Sequence, residues 1–556
     1  MSILKIDMNR KEVSKEAFPK NNLVGGRAMI DYLLTEYGSP TAHPLSPEAP
    51  LIAAPGLLAG TSAPQSGRMS FGGKSPLTGG IKEANSGGTA GDKLGRLGIR
   101  AIMVQGRSEQ WQVLKIDAEG AVLLPAEDIV GMENYAVCEK LRERYGKDIS
   151  IIIIGPAGEM KLANSTIAVT DPEGRPARHA GRGGVGAIMG SKGLKAIVVD
   201  STGVPSRRAA DPGAFKQAVK TAVETIQDNP LRQVFHALGT NVCIDADGDR
   251  GSLPTRNHRH GAFEKRKGLC ANTMIELNKA RGGSMGNACM PGCIVKCSPI
   301  FHDSDGNHVT SALEYETVAM LGANLGIDDL DSVARMDRRC DELGLDTIEV
   351  GCAIGVLNDV GLFEFGDAAG AEAYIEEIAQ GTPMGRIIGS GVTETAKVFG
   401  IDRIPAVKGQ GIPAHSARSL KGWGVTYATS PQGADHTAGV VEDDPLNPVG
   451  QVDRSRMSQI FTAALDATGL CMFTFLASTP EIIAAMVAAL YGVLWTAADF
   501  EELGKEMLRQ ERAFNIKAGI GPEADGLPDW MRTDPLPPTG AVFDVPQEEI
   551  DQLFNF

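Results

Sequence analysis

The stretch 287–298, NACMPGCIVKCS, sets Cys289, Cys293 and Cys297 at i, i+4 and i+8, and a fourth cysteine, Cys471, closes the downstream string DATGLC (466–471). Three soft ligands on one short segment with a distant fourth is the usual way to hold a single [4Fe–4S] cluster, because four thiolates must converge tetrahedrally and one segment rarely supplies them all. Such a cluster pins two remote parts of the chain together. On spacing alone two other readings stay open. Zinc also accepts four thiolates, and cysteines at this spacing can line one face of a core helix, although Pro291 and Gly292 oppose a continuous helix here.

At 556 residues the chain exceeds one ordinary core, so about three domains are expected. The apolar fraction is 42 %, with 67 glycines and 31 prolines, which predicts a globular protein with many tight turns. A net charge of −15 argues against nucleic acid as a partner. Nine cysteines form no even framework, which favours reduced thiols and metal ligation in a cytoplasmic protein. The start, MSILKIDMNRKEV, lacks a signal-peptide core, and the longest apolar stretch, 482–495, is too short to span a bilayer.

The expected fold class is α+β, with a β-rich N-terminal cofactor-binding domain followed by two mainly helical domains. Residues 1–205 carry short apolar runs at 51–55, 99–104, 113–116, 149–154 and 196–199, separated by Gly, Pro and Ser. From about Asp211 the period turns helical, as in 215–227 and 330–343. The second domain, 206–405, holds three cluster cysteines, and the third, 406–556, holds the fourth. Segment 406–422 reads as a linker and the Pro- and Gly-rich tail 521–540 as a surface strap. Only one small internal echo is legible: Asp341–Asp346 (DELGLD) and Asp466–Cys471 (DATGLC) share D-x-x-G-L-(D/C). An acidic residue there can cap a helix or accept from a heterocycle's N–H groups.

Two glycine-rich stretches are candidate cofactor loops. In 66–88, SGRMSFGGKSPLTGGIKEANSGG, the Gly73-Lys74-Ser75 string falls short of a P-loop, since its leading glycine position is Arg68 and Pro76 blocks the following helix. In 178–195, RHAGRGGVGAIMGSKGLK, no convincing strand precedes Gly184-x-Gly186, which weakens a dinucleotide reading. Both set cations (Arg68, Lys74, Arg178, Arg182) in exposed backbone, a combination that suits phosphate oxygens; the alternative is hairpin turns with solvated arginines.

With these motifs in hand, the chain resembles the tungsten-dependent aldehyde ferredoxin oxidoreductase family nearly end to end: NNLVGGRAM (21–29), KSPLTGGIKEANSGG (74–88), IGPAGE (154–159), AGRGGVGAIMGSKGLKAI (180–197), GSLPTRN (251–257), the cysteine loop, LEYETVAMLGANLGI (313–327), DELGLDT (341–347), DATGLC and GLPDW (526–530). The resemblance implies tungsten held by the dithiolene sulfurs of two pyranopterins whose phosphates are bridged by Mg²⁺. Phosphate and pterin contacts are then expected from Arg68, Asn85, Gly87, Arg178, His179 and Arg182, and pterin contacts from Asp341, Asp346 and Asp466. The [4Fe–4S] cluster would sit on Cys289, Cys293, Cys297 and Cys471. Two departures stand out: the family spacing C-x-x-C-x-x-x-C has one extra residue between its first two cysteines here, and the chain is shorter than many relatives around the substrate region.

The implied reaction is oxidation of an aldehyde to a carboxylic acid. Glu316 is the first candidate for proton acceptor and Glu314 the second, because Glu316 lies nearer DELGLD by register; His436 in SPQGADHTAG would hydrogen-bond the substrate oxygen, and Tyr427 is a third candidate. Expected partners are a small aldehyde and either ferredoxin or a small iron–sulfur subunit, in a homodimer or hetero-oligomer. The basic run Arg256, Arg259, Lys265, Arg266 and Lys267 is the expected docking patch. Alternatives are the catalytic subunit of a tungsten benzoyl-CoA reductase and a non-catalytic relay or scaffold subunit.

Overall fold

A computed structural model describes residues 1–19, 22–476 and 479–556, with the side chains of residues 475 and 476 left aside. The fold is α+β. Strands β1 (Ser2–Asp7), β2 (Glu12–Ala17), β3 (Leu51–Pro55), β4 (Met69–Lys74), β5 (Ile81–Ser86) and β6 (Ile99–Gln105) form one sheet in the order β2-β1-β6-β3-β4-β5. Strands β7 (Gln112–Ile116), β8 (Ala121–Pro125), β9 (Ser150–Ile153), β10 (Ile167–Val169), β11 (Arg178–Ala180) and β12 (Leu194–Val199) form a second, in the order β11-β10-β9-β12-β7-β8. Adding six to each strand number of the first order reproduces the second read backwards. The only parallel pair in each sheet is also the equivalent one, β1 with β6 and β7 with β12. The N-terminal region is therefore a topological duplication, which its residues do not advertise because the likeness lies in strand pairing. The apolar runs expected as strands fall on β3, β6, β7, β9 and β12; β9 (SIII) and β12 (LKAIVV) are buried along their whole length, as covered strands are.

The rest of the chain is mainly helical: α2 (Pro212–Asp228), α3 (Val242–Arg250), α4 (Tyr315–Leu321), α5 (Leu330–Leu343), α6 (Thr347–Val356), α7 (Lys421–Thr429), α8 (Gln451–Thr468) and α9 (Ala497–Lys517), with α1 (Gly26–Tyr37) inside the N-terminal region. Helix α2 shows why its residues fold locally. Asp211 accepts from Ala214 N at 2.9 Å, Pro212 opens the first turn, and Phe215, Ala218, Ala222 and Ile226 bury one face. A small sheet of β13 (Ser284–Asn287), β14 (Ser298–His302) and β15 (His308–Thr310) carries the cysteine loop between β13 and β14. No helix of the described residues is long and apolar enough to cross a membrane.

The D-x-x-G-L echo acquires a physical meaning. Gly344 ends α5 at φ +73° and Gly469 ends α8 at φ +78°, a left-handed cap that glycine adopts without steric cost. Each cap packs on the glycine that follows the third strand of one half-domain. A Cβ on Gly155, after β9, would lie 2.2 Å from Leu343 O, and one on Gly56, after β3, would lie 2.1 Å from Gly469 N. Backbone bonds close both docks: Thr166 N to Gly344 O at 2.9 Å and Arg68 N to Gly469 O at 3.1 Å. The duplicated domain thus receives one turn from α5 on one half and one from α8 on the other. Gly56→Ala is expected to destabilise the fold by about 3 kcal/mol, because only backbone could move aside. Thermal unfolding checks this against Gly181→Ala, whose Cβ meets nothing within 4 Å; equal melting temperatures would refute the dock.

One expectation is corrected. Segment 406–422 is not a linker: β16 (Ala406–Val407) pairs with β17 (Gln410–Gly411), and Ile412 to Gly422 are buried. Its polar residues tolerate burial because carbonyls satisfy them; Arg418 donates to Asp534 O at 2.9 Å and to His258 O. The tail 521–540 lies mostly over the surface as expected, anchored by the buried Leu527, Met531 and Leu536, with Leu527 and the following Phe543 packing with α7.

Candidate active site

The four cysteines expected as cluster ligands meet. Cys289, Met290, Cys293 and Cys471 pack together, Cys297 stands close enough to feel Cys289 and Cys471 electrostatically, and all four are free thiols between 7 and 9 % exposed. Loop 288–297 forms turns, with Gly292 at φ +73° and Lys296 at φ +55°, so the cysteines do not line a helix. The Cys293 thiol, with Arg178 and Arg68 assisting, holds the Cys289 thiol down at about 6; burial pushes Cys471 up to about 11 against the pull of Arg68. Among the described residues, no three His, Cys, Asp or Glu side chains close on a point as they would around one bare ion. What joins the two cysteine segments is Gln65: its N–H donates to Gly292 O at 3.1 Å and its carbonyl accepts from Cys471 N at 2.9 Å.

Next to the cysteines the two sheets touch at β5 and β11, where Ser86 Oγ donates to Arg178 O at 2.7 Å. This seam gathers the residues expected to hold a cofactor. On the first half, Arg68 donates to Asn85 Oδ1 and, at 3.2 Å, to Asn85 O, while Asn85 Nδ2 reaches Asp466 Oδ1 at 3.3 Å. Gly87 lies over Cys289, where a Cβ would be 3.4 Å from Sγ. On the second half, His179 Nε2 is 3.0 Å from Asp341 Oδ1, and Arg182 Nε is 3.2 Å from Asp346 Oδ2. Arg178 bridges to the cysteine loop through Ser298 Oγ at 3.0 Å and Glu314 Oε1 at 3.2 Å. Each D-x-x-G-L turn therefore faces cations of its own half-domain. Burial opposes the charge of Arg68, but Cys471, Cys289 and Asp466 raise its pKa overall. Burial and Glu83 push Asp466 up to about 8, against Arg27 and Arg68. Lys74 has no part in the seam; it is spent on Ala42 O at 2.9 Å and on Pro40 O.

Glu316, on α4, and His436 come together from segments far apart in sequence. Glu316 Oε2 accepts from Ala414 N at 2.8 Å; Oε1 is 3.9 Å from His436 Nδ1, and neither Oε1 nor Nδ1 has a hydrogen-bond partner. Both side chains keep some exposure, 16 and 23 %. The histidine loop is pinned from three sides. Arg182 and Gln410 each donate to Ala434 O at 2.6 Å, and Lys82 Nζ sits 2.6 Å from Asp435 Oδ2 with both groups buried. Lys82→Met, which strands a buried carboxylate beside His436, is expected to cost about 3–5 kcal/mol; a melting temperature within a few degrees of wild type would show that the pair carries little. The other two candidates sit elsewhere. Glu314 precedes α4 and faces Arg178 and Ser298, and Tyr427 is fully buried with its hydroxyl donating to His415 O at 3.2 Å.

The chain as a whole matches known proteins in sequence and in fold. The aldehyde ferredoxin oxidoreductase N-terminal-domain model matches residues 3–201, and the model of domains 2 and 3 of the same enzymes matches 217–555. The chain belongs to the aldehyde ferredoxin oxidoreductase family. It is 33 % identical to the tungsten-containing aldehyde ferredoxin oxidoreductase of Pyrococcus furiosus, over 96 % of this chain and 90 % of that protein. The enzyme of the same name from Thermococcus kodakarensis is 32 % identical over 96 % of this chain and 91 % of that one. Among solved structures, the active-site complex BamBC of benzoyl coenzyme A reductase with 1,5-dienoyl-CoA matches with a TM-score of 0.80 at 19 % identity, covering 95 % of this chain and 90 % of that one, which shows a shared fold.

Within the aldehyde ferredoxin oxidoreductase family, this chain's expected docking patch is largely offset by carboxylates. Arg256 pairs with Glu264, Arg259 with Asp359, Arg266 with Asp249 and Asp245, and Lys265 lies 3.6 Å from Asp328. Four of the five cations are thus offset by carboxylates, some from distant segments. The reading of the sequence also missed Gln65, for which no motif signal exists, and the pair Asp247 and His415. It missed a buried network as well: Arg27 binds Glu511 at 2.7 Å and Asp466 at 3.2 Å, and Gln432 bridges Glu511 to Glu83 N. Its Arg27 lies in the NNLVGGRAM motif, which was the available clue.

Proposed function

We propose that this chain is a tungsten-bispterin oxidoreductase that converts an aldehyde and water into a carboxylic acid, with two electrons passed through a [4Fe–4S] cluster to ferredoxin or a partner iron–sulfur subunit. The observation that carries the reading is the convergence of Glu316 and His436, both with unsatisfied buried atoms, in a family whose named relatives are tungsten aldehyde oxidoreductases. The residues present suit the cofactors. Arg178 Nε, Asp341 Oδ2 and Glu83 Oε1 are buried polar atoms without a protein partner, Gly181 has open space beside it, and Cys289, Cys293 and Cys471 pack together with Cys297 close by, a four-thiol set that suits an iron–sulfur cluster.

Arg68, Asn85, Gly87, Arg178, His179 and Arg182 would contact the pterins and their phosphates, whose charge Mg²⁺ would help to offset, and Asp341, Asp346 and Asp466 would hold the pterin N–H groups. When bound, tungsten takes the electron pair and the cluster releases it singly. Glu316 accepts the proton lost by the water that adds to the carbonyl, and His436 donates a hydrogen bond to the carbonyl oxygen as charge develops there. The loop pinned by Lys82, Arg182 and Gln410 keeps His436 beside Glu316. A cytoplasmic homodimer or hetero-oligomer fits this reading. The benzoyl-CoA alternative rests on shared fold alone. Elemental analysis of anaerobically purified protein, followed by aldehyde-dependent viologen reduction, tests the proposal. About one tungsten and four irons per chain with dye reduction are expected; zinc without tungsten or molybdenum, or a loaded protein inert to every aldehyde, would overturn it.

A further inference from the structure

A second imidazole shares Glu316 Oε1 with His436. His415 Nε2 is 3.7 Å from that oxygen, and its Nδ1 is 2.9 Å from Asp247 Oδ2. The ring has little freedom: it stacks on Trp423 at 4.4 Å and 21° and touches Tyr315 at 4.9 Å. Asp247 is itself anchored. It is fully buried, accepts from Ser252 Oγ at 2.8 Å and Arg250 Nε at 2.7 Å, and on Oδ2 shares the Tyr315 hydroxyl's hydrogen bond with Ala414 O. The backbone beside His415 serves the same end, since Ala414 N donates to Glu316 Oε2 and Ala414 O accepts from Tyr315 Oη at 2.6 Å.

The charged and titratable groups around this ring are few. Helix α3 offers Asp247, Arg250 and Cys243; α4 offers Tyr315 and Glu316; α7 offers Tyr427; Glu442, which accepts from Trp423 Nε1 at 3.1 Å and pairs with Arg250, faces it as well, and His436 stands across Glu316 Oε1. Burial raises the pKa of Cys243, Tyr315 and Tyr427, which keeps them neutral. The ring is therefore faced by three carboxylates and one guanidinium. Burial disfavours a charge on His415, but Asp247 and then Glu316 outweigh it and raise its pKa. Burial opposes ionisation of Asp247 as well, yet His415, Arg250 and Tyr315 hold that carboxyl down at about 2.

We propose that His415, kept as an imidazolium by Asp247, is the positioning residue of Glu316: it fixes Oε1 toward His436 and supplies the positive charge that offsets burial of the proton-accepting carboxylate. This rests on Glu316 being the proton acceptor. A neutral ring would leave one carboxylate partnered by a single backbone N–H and free to turn from His436. Because Asp247 is tied to Arg250 on its other side, the ring's charge is balanced before substrate arrives, and uptake of a proton by Glu316 changes the buried charge by one unit only.

The test is a pH titration of oxidised holoenzyme labelled with 15N-histidine, in which the His415 signal, one of nine histidines, is identified by its loss in His415→Gln. Expected is a doubly protonated ring across pH 6–8 in the wild type and a neutral ring in Asp247→Asn. In both variants kcat should fall about tenfold with KM within twofold, and the acid limb of the kcat/KM profile should move to higher pH. A neutral His415 at pH 7 in the wild type, or a His415→Gln enzyme with unchanged kcat and pH profile, overturns the inference. The wild-type titration needs no variant, so it decides even where Asp247→Asn does not fold. Glu316→Gln separates the two claims: if it stays active the base assignment and this inference fall together, whereas an inactive Glu316→Gln beside a normal His415→Gln removes this inference alone.

Discussion

Glu316→Gln is expected to lower kcat by about 10²–10⁴-fold while KM stays within a few-fold and tungsten and iron contents are unchanged. Glutamine keeps the shape of the side chain, and its carbonyl oxygen can still accept from Ala414 N, the bond that Oε2 makes at 2.8 Å. What it removes is the ability to take a proton at Oε1, the atom that lies between His415 and His436 with no bond of its own. Loss confined to kcat is the signature of a group that acts in the transition state rather than in binding. Glu314→Gln should behave differently. That carboxylate is bound to Arg178 and Ser298 beside the cysteine loop, so its loss should disturb the cluster surroundings more than proton transfer. A kcat within threefold of wild type for Glu316→Gln would move the base elsewhere.

The parts of the molecule that could be read from residues alone are those where chemistry demands a residue type or a local period dictates shape. Cys289, Cys293, Cys297 and Cys471 stood out because a soft cluster would need thiolates, and the structure brings them near one another. The strands at 51–55 and 99–105 and the helices α2 and α5 were legible because apolar residues recur at the right spacing. The duplication of the sheets was not, since its likeness resides in the order of pairing. Asp247 and His415 escaped for a related reason: each is one residue without a motif, and only the approach of α3 to the loop before α7 makes them a pair. The opposite error befell Arg256, Arg259, Lys265 and Arg266, which read as a bare patch although their carboxylates come partly from Asp328 and Asp359. A loop-like composition at 406–422 hid a buried segment, because hydrogen bonds to carbonyls satisfy Arg418 as well as water would.

These pairings also explain why the duplicated domain is the natural seat for a two-part cofactor. Each half contributes a donor pair, Arg68 with Asn85 or His179 with Arg182, and each receives one helix end that carries an aspartate, from α8 or α5. The halves are joined where β5 meets β11, through Ser86 and Arg178, and Arg178 continues into the cysteine loop. A ligand with two similar halves would therefore find similar partners on both sides, but only the α8 side ends in a cysteine. The difference that bears on the cysteine loop is position 471, a cysteine where the other turn has Asp346.

That residue is where the other large effect is expected. Cys471→Ser should reduce iron from about four to three or fewer per chain and cut aldehyde-dependent viologen reduction by more than about a thousandfold, while tungsten is retained. Serine offers a hard hydroxyl where a soft thiolate is needed, so the ligand set drops to the three cysteines of the 288–297 loop. The fold around it should survive. The segment is held by backbone bonds that serine keeps, Cys471 N to Gln65 O at 2.9 Å and Arg68 N to Gly469 O at 3.1 Å, and Asp466 and Arg68 remain in place for the pterin. Cys340→Ser is the matched control, since Cys340 is an equally buried free thiol packed in the helical core and should keep its iron. Iron that stays near four in Cys471→Ser, with normal electron transfer, would show that the fourth ligand is another group. If both metals were lost together, the cluster and the pterin would have to be assembled as one unit. The segment Gln65 to Arg68, whose backbone bonds Cys471 and whose guanidinium at Arg68 reaches Asn85, is one route by which one loss could cause the other, and Arg178, which runs from the seam to Ser298 beside the cysteine loop, is another.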